Sequence, residues 1–259
     1  MGFLLTPRCV TLTNLQELRR LPKKDNLSLE VLQLDVTDDK SVADAINMIG
    51  NRHQRIDVLV NNAGYEHNGA VEDLSIAEIK TQFETNFFGA VRVMKAVLPM
   101  MRKQRNGTIV NVSSIGGTIG VPLNSAYVGS KFALEGYSES MKYELEGFGI
   151  KVILIEPGAV KTNFLDNAKQ AQTGMNPDSP YAEFSKKVSE GVREKFKEAN
   201  SSSPKQVAEV ILSAIKSEKP NTRYLVGNDA IVIKERRKNS SDSELEVWIK
   251  ESLLEQKGF

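Results

Sequence analysis

The chain has 259 residues, 40% hydrophobic and 26% charged, with a formal net charge of +1 and a single cysteine, Cys9. That length and balance suit one globular domain with a sizeable core, and near-neutrality gives no general attraction to nucleic acid or to an anionic membrane surface. A lone cysteine closes no internal disulfide and suits a reducing, cytoplasmic compartment. No run approaches the ~18 apolar residues of a membrane span, and the short apolar start at 1–5 lacks the cleavage pattern of a secretory signal.

In chain order, strands are predicted near 9–13, 29–34, 58–61, 108–112, 151–155 and 223–226, with helices between them. This alternation predicts an α/β fold with a parallel sheet covered on both faces. The runs DVLVN, TIVNV and KVILIE are short, β-branched and apolar throughout, the pattern of strands buried on both faces. A helix over 41–52 carries Val42, Ala45, Ile46 and Ile49 at helical spacing, and a long one over 76–104 includes Phe83, Phe87, Val91, Met94 and Leu98. The stretch 165–203 is polar and broken by Gly174, Pro177 and Pro180, then helical over 181–199. Ser203 and Pro204 read as N-cap and first helical residue, followed by a packing stripe of Val207, Val210, Ile211, Ala214 and Ile215. KERRK at 234–238 reads as a solvated face ahead of a binding patch. Leu245, Trp248, Ile249 and Leu253 form an apolar stripe that packs either within the chain or against another subunit. One domain over 1–259 is expected, divided into a core, a substrate lid at about 165–203 and closing elements over 204–259.

The chemistry concentrates between Ser113 and Lys131, in SSIGGTIGVPLNSAYVGSK. Residues four apart on a helix share a face, so Lys131 places its ammonium beside the phenol of Tyr127. A free phenol titrates near pH ~10; an adjacent cation favours the phenolate and draws that value toward the working range. Other chemistries lack their residues. His53 and His67 belong to no ligand cluster, so no metal is expected, and both are expected to face solvent; no serine sits in a G-x-S-x-G elbow.

With NNAG at 61–64, Asn86 in ETNFFGA, NVSS at 111–114 and PGAVKT at 157–162, the stretch resembles the short-chain dehydrogenase/reductase family. These five blocks run in family order between Leu34 and about Thr162, and GVPLNSAYVGSKFALEG further resembles the branch holding the 17β-hydroxysteroid and retinol dehydrogenases. The resemblance implies a Rossmann-like doubly wound sheet and an NAD(P)-dependent oxidoreductase interconverting an alcohol with a ketone or aldehyde, on a hydrophobic substrate. It implies catalytic roles for Asn86, Ser114, Tyr127 and Lys131. Ser114 would steady the carbonyl oxygen, Tyr127 would transfer the proton, and Lys131 would tune the tyrosine and hold the nicotinamide ribose. Asn86 either helps retain a proton-relaying water or bends its helix through a hydrogen bond. Cofactor contacts are implied for Asp35, Val36, Asn62, Ala63, Gly64, Tyr127, Lys131, Pro157, Gly158, Val160 and Thr162, although the NNAG turn equally suits a role in stabilising the sheet. Homodimers or homotetramers through the helices at 76–104 and 126–148 are implied as well.

One family feature is missing from the sequence, the TGxxxGxG turn that receives the cofactor pyrophosphate. The resemblance therefore implies an N-terminal truncation by roughly 30 residues, about one strand-plus-helix unit, from the centre of a sheet ordered 3-2-1-4-5-6. Its loss would part the second and third family strands from the rest. Arg8, Arg19 and Lys23 favour NADP over NAD, while Thr13 and Asn14 supply neither discriminating group. The alternative is a noncatalytic homologue or interaction protein that binds no dinucleotide, because the diphosphate has lost its helix N-terminus.

Overall fold

The computed structural model describes residues 2–6, 29–162, 164, 168–171, 178–198 and 201–254. Strand β1 (Gly2–Thr6) pairs in parallel with β2 (Leu29–Gln33), from Gly2 opposite Leu29 to Thr6 opposite Gln33. Helix α1 (Asp39–His53) follows, started by Asp38, whose carboxylate accepts from the N–H groups of Lys40 and Ser41, the usual satisfaction of orphan donors at a helix start. Strands β3 (Val58–Asn61), β5 (Gly107–Val112), β6 (Ile150–Pro157) and β8 (Arg223–Val226) form a separate parallel sheet in that spatial order. A third, minimal sheet joins β4 (His67–Asn68) to β7 (Lys169–Gln170). The strand expected near 9–13 lies outside the described residues, and β1, β4 and β7 were not legible in the hydrophobic pattern.

Helices sit on both faces of the main sheet. On one face α1, α3 (Ala90–Gln104) and α4 (Ser125–Glu146) pack Ile46, Val93, Val97 and Leu134 against Leu59, Ile109 and Val152. On the other, α6 (Pro204–Lys216) lays Val207, Ile211 and Ala214 over Val110, Ile153 and Val226. Ile109 and Val110 are both at 0% exposure although they point to opposite faces, which is why β5 and β6 read as unbroken apolar runs. The run DVLVN departs from that expectation. Leu59 is buried, whereas Val58 and Val60 are 36% and 41% exposed, because β3 is the edge of its sheet and no ladder joins it to β2 among the described residues.

The long helix expected over 76–104 is three pieces: α2 (Ile76–Phe83), a π-helical turn (Glu84–Gly89) and α3. A π-turn inserts one residue into the helical repeat and re-aims the side chains beyond it. At the carboxyl end, α6 begins with Ser203 as N-cap in a capping box with Gln206 and with Pro204 in its first turn, as predicted. Helices α5 (Ala182–Glu198), α7 (Asn228–Asn239) and α8 (Asp242–Leu254) complete the described chain. The 234–238 patch is not simply solvated. Lys234 reaches Glu156, fully buried on β6, at 3.1 Å, and the Arg236 guanidinium lies 5.6 Å from the centre of the Trp248 ring. The stripe on α8 packs within the chain, against α5. Among the described residues no helix is long and apolar enough to cross a membrane.

The α5–α8 contact depends on Gly191, where a Cβ would fall 2.1 Å from the Leu253 carbonyl oxygen. Gly191→Ala is expected to separate the two helices and cost about 1–3 kcal/mol. Chemical denaturation should register that loss, with amide exchange rising first over 242–254; unchanged exchange there would remove this contact as the cause.

Candidate active site

Parallel pairing brings the carboxyl ends of β3, β5 and β6 to one edge of the sheet, the position where open α/β sheets bind ligands. The chain leaves β3 into Asn62–Gly64, β5 into Ser113 and Ser114, and β6 into Gly158 and Ala159. Ser114 is extended and caps a short 3-10 turn (Ile115–Gly117), its Oγ accepting from the Gly116 N–H at 3.0 Å. Tyr127 and Lys131 lie one turn apart on the first half of α4. Ser114, Tyr127 and Lys131 together line a cleft of about 1910 Å³, larger than the roughly 300–1,000 Å³ common for ligand pockets.

Lys131 is 6% exposed, and its Nζ donates to the Val112 carbonyl at 2.9 Å and lies 5.7 Å from the centre of the Tyr127 ring. Burial pushes its pKa down to about 8, while the negative charge of Glu135, one turn further along α4, opposes the fall. Tyr127 moves opposite to the sequence expectation. Burial pushes its phenol well above the ordinary value, Ser114 beside it draws it back, and the nearby negative charge of Glu66 pushes it further up. Desolvation of the phenolate therefore outweighs the hydrogen bond with Ser114. The ring meets Phe164 edge-on at 5.9 Å.

Asn86 occupies the π-turn at 1% exposure. Its Oδ1 accepts from the Tyr65 N–H at 3.1 Å, and its Nδ2 donates to the Tyr65 carbonyl at 2.9 Å and to Ser130 Oγ at 3.3 Å. One amide thus ties the segment after Gly64 to the α4 turn lying between Tyr127 and Lys131. Gly64 closes this group. A Cβ there would lie 3.2 Å from Asn86 Oδ1 and 3.9 Å from Lys131 Nζ.

The residues implied for cofactor binding converge on the same cleft, with one exception. Val36, Asn62, Ala63, Gly64, Tyr127, Lys131, Pro157, Gly158, Val160 and Thr162 all line it. Asp35 does not; its carboxylate is spent on the N–H and hydroxyl of Thr37 at 3.0 and 2.7 Å. The turn after β6 is clamped by Asp229 from the start of α7, which accepts from the Ala159 N–H at 2.6 Å. A Cβ on Gly158 would fall 2.2 Å from that carboxylate, so glycine is required there. Arg8, Thr13, Asn14, Arg19 and Lys23, on which cofactor preference turned, lie outside the described residues. His67 does not face solvent: it is 6% exposed, 3.4 Å from Glu78, and His53 is half-buried.

Sequence reasoning missed several residues of the site. Asp229 stands some seventy positions from the turn it holds, as its separation from Ala159 records, and its only local signal is a first-turn acid after Gly227. Asn111, fully buried, accepts from Asn61 at 2.8 Å and donates to Ser138 at 2.8 Å, pinning β3 to β5 and α4. Glu135 binds Arg223 at 3.0 Å, and Arg223 also meets Glu156 at 3.2 Å. Glu66, 6% exposed, lines the cleft beside Asn124. The runs TIVNV and KVILIE place Asn111 and Glu156 on buried strands, but nothing in the local pattern of Asp229, Glu135, Arg223 or Glu66 distinguishes them from surface polar groups.

A parallel sheet in a βα alternation, with a Ser-Tyr-Lys group at its carboxyl edge, defines an α/β enzyme of dinucleotide-dehydrogenase type. The family model for short chain dehydrogenases matches residues 10–173, and the chain belongs to that family. It is 40% identical over 209 residues to a 3-ketodihydrosphingosine reductase of Bacteroides thetaiotaomicron, covering 80% of this chain and 76% of the relative. It is 44% identical over 208 residues to retinol dehydrogenase 8 of Bos taurus, covering 76% and 65%. A solved short-chain dehydrogenase from Streptomyces avermitilis superposes with a TM-score of 0.78 at 34% identity, over 96% of this chain and 87% of its own. The retinol dehydrogenase-like branch read from the block around Tyr127 agrees with these relatives.

Since the Lys131 ammonium has a lower pKa folded than unfolded, its burial opposes folding below about pH 8, and that cost fades as pH climbs toward 10.5. Relative to Lys131→Met, the wild-type chain is expected to gain on the order of 3 kcal/mol across that window. Urea unfolding of both chains at a series of pH values measures the difference, and parallel curves would mean that the ammonium is not desolvated.

Proposed function

We propose that the protein is a nicotinamide-dinucleotide-dependent oxidoreductase that interconverts a hydrophobic alcohol with its ketone or aldehyde. The observation carrying this reading is the convergence of Ser114, Tyr127 and Lys131 on one cleft, with Asn86 locking the loop and helix that frame it. The cleft suits a dinucleotide beside a substrate in its volume, in the bare backbone at Gly64 that lines it and in the clamped turn after β6. The dinucleotide supplies or accepts the hydride. Ser114 Oγ donates to the carbonyl oxygen as charge develops on it, worth about 10²–10³ in rate for one such donor. Tyr127 Oη delivers the proton in reduction; its raised pKa keeps the resting phenol protonated for that task. Lys131 keeps positive charge beside the phenol and reaches the ribose hydroxyls, and Asn86 holds the channel through which a water resupplies the proton. NADP is the proposed preference over NAD, and the segment from 165 to 203 the proposed substrate lid.

The proposed setting is cytoplasmic, with a homodimer or homotetramer built on the helices at 76–104 and 126–148. Phe88, Phe132 and Tyr143 stand 48%, 44% and 71% exposed on those helices, more apolar surface than a solvated helix face needs. Light scattering should return a mass at least twice 28.7 kDa; a monomer at micromolar concentration would end this assignment.

A second reading, a noncatalytic homologue that binds no dinucleotide, draws on the open edge at Val58 and Val60 and on the missing glycine-rich turn. Thermal unfolding with NADP(H) and NAD(H) in separate samples discriminates the two, because a ligand present at 100 times its Kd stabilises by about 2.7 kcal/mol. A rise in Tm with one dinucleotide is expected. So is turnover that Tyr127→Phe abolishes while melting as the wild type does, and that Ser114→Ala, folded but short of a cap worth about 1 kcal/mol, cuts about a hundredfold. Retained turnover in Tyr127→Phe would remove that residue from the chemistry.

A further inference from the structure

Glu66 is a buried acid with no part in the mechanism above. It is 6% exposed, lies on the wall of the cleft that Tyr127 and Ser114 also line, and accepts from Asn124 Nδ2 at 2.5 Å. Its partners among the described residues are the amides of Asn124 and Asn68, not a cation. Asn124 is the N-cap of α4, three residues before Tyr127, so the amide and the phenol share one face of the helix start. The arrangement uses the donor of Asn124 and leaves its acceptor: Oδ1 is buried without a hydrogen-bond partner among the described residues. The wall of the cleft beside the phenol therefore carries a carboxylate with amide partners and no cation, next to apolar groups such as Val121, Leu123 and Phe164. A buried carboxylate without a cation is costly even with amide donors, and a bound molecule that brings a hydroxyl or an ammonium to its remaining lone pairs offsets that cost.

We infer that Glu66 and Asn124 form a polar subsite that selects, among apolar alcohols and carbonyls, those carrying a second hydrogen-bond donor, a hydroxyl or an ammonium, near the reacting carbon. Resting on the oxidoreductase reading, this gives the substrate a polar head with two functional groups and an apolar tail. A plain ketone or retinoid-like polyene would bring no such donor to Glu66. The raised pKa of Glu66, caused mainly by burial, agrees with a carboxyl that lacks a charged partner in the free protein.

The test is binding, so it does not depend on turnover. Three probes are titrated calorimetrically into the full chain: a long-chain secondary alcohol, and the same molecule with a hydroxyl or an ammonium at the chain end nearest the carbinol. The wild type is expected to bind both donor-bearing probes about tenfold tighter than the plain alcohol. Glu66→Leu should erase both differences, whereas Glu66→Gln should weaken the amino alcohol more than the diol, because only the cation loses its counter-charge. Equal affinity for the three probes in the wild type, or no saturable binding of the donor-bearing pair, overturns the inference without recourse to any variant. A binding preference in a protein that turns over no alcohol or carbonyl would uphold the subsite and overturn the oxidoreductase reading instead.

Discussion

A lysine ammonium taken out of water and held against the carbonyl of Val112 is the constraint around which the site is arranged. An unpaired buried cation is among the costliest groups a fold can hold, and the structure offsets that cost with the carbonyl at the end of β5 and with Glu135 one turn away. Glu135 is itself buried and leans on Arg223, which also reaches Glu139 and Glu156, and Glu156 is met by Lys234. The charge of Lys131 is thus tied through alternating signs to β6, β8 and α7. Four elements distant in sequence must dock before that lysine is stable in its buried position.

The same docking explains why the site is stiff on one side and open on the other. Asn111 and Asn86 are buried amides whose bonds bind strand to strand and loop to helix, and low surrounding dielectric strengthens such bonds while making any loss expensive. Around Ser114, Tyr127 and Lys131 the backbone is consequently over-determined, the condition for preorganised catalysis. Along β3 the side-chain tie is the pair of Asn61 with Asn111, and Val58 and Val60, more than a third exposed, line the cleft.

The elements legible beforehand were those whose evidence is local. The strand at Val58–Asn61 and the cap at Ser203 appear where the pattern placed them, since alternation, β-branching and capping chemistry act over a few residues. The π-turn at Asn86 was hidden inside an apolar periodicity that reads as one helix, because one inserted residue shifts the phase without changing composition. The exposure of Val58 and the burial of His67 were misread for a related reason: both depend on which element lies opposite, which no single segment encodes.

The sequence by itself determined the α/β class and the family, and it singled out Ser114, Tyr127 and Lys131 as candidates, because short motifs at fixed spacing carry that information through backbone geometry. It was silent on Asp229 under Gly158, on Arg223 between Glu135 and Glu156, and on Glu66 against Asn124. Only the tertiary structure decided these, since each joins residues separated by tens of positions. It also decided the direction in which Tyr127 titrates. Motif spacing sets a cation near the phenol, but desolvation is a property of the whole surrounding fold, and here it is the largest cause of the shift.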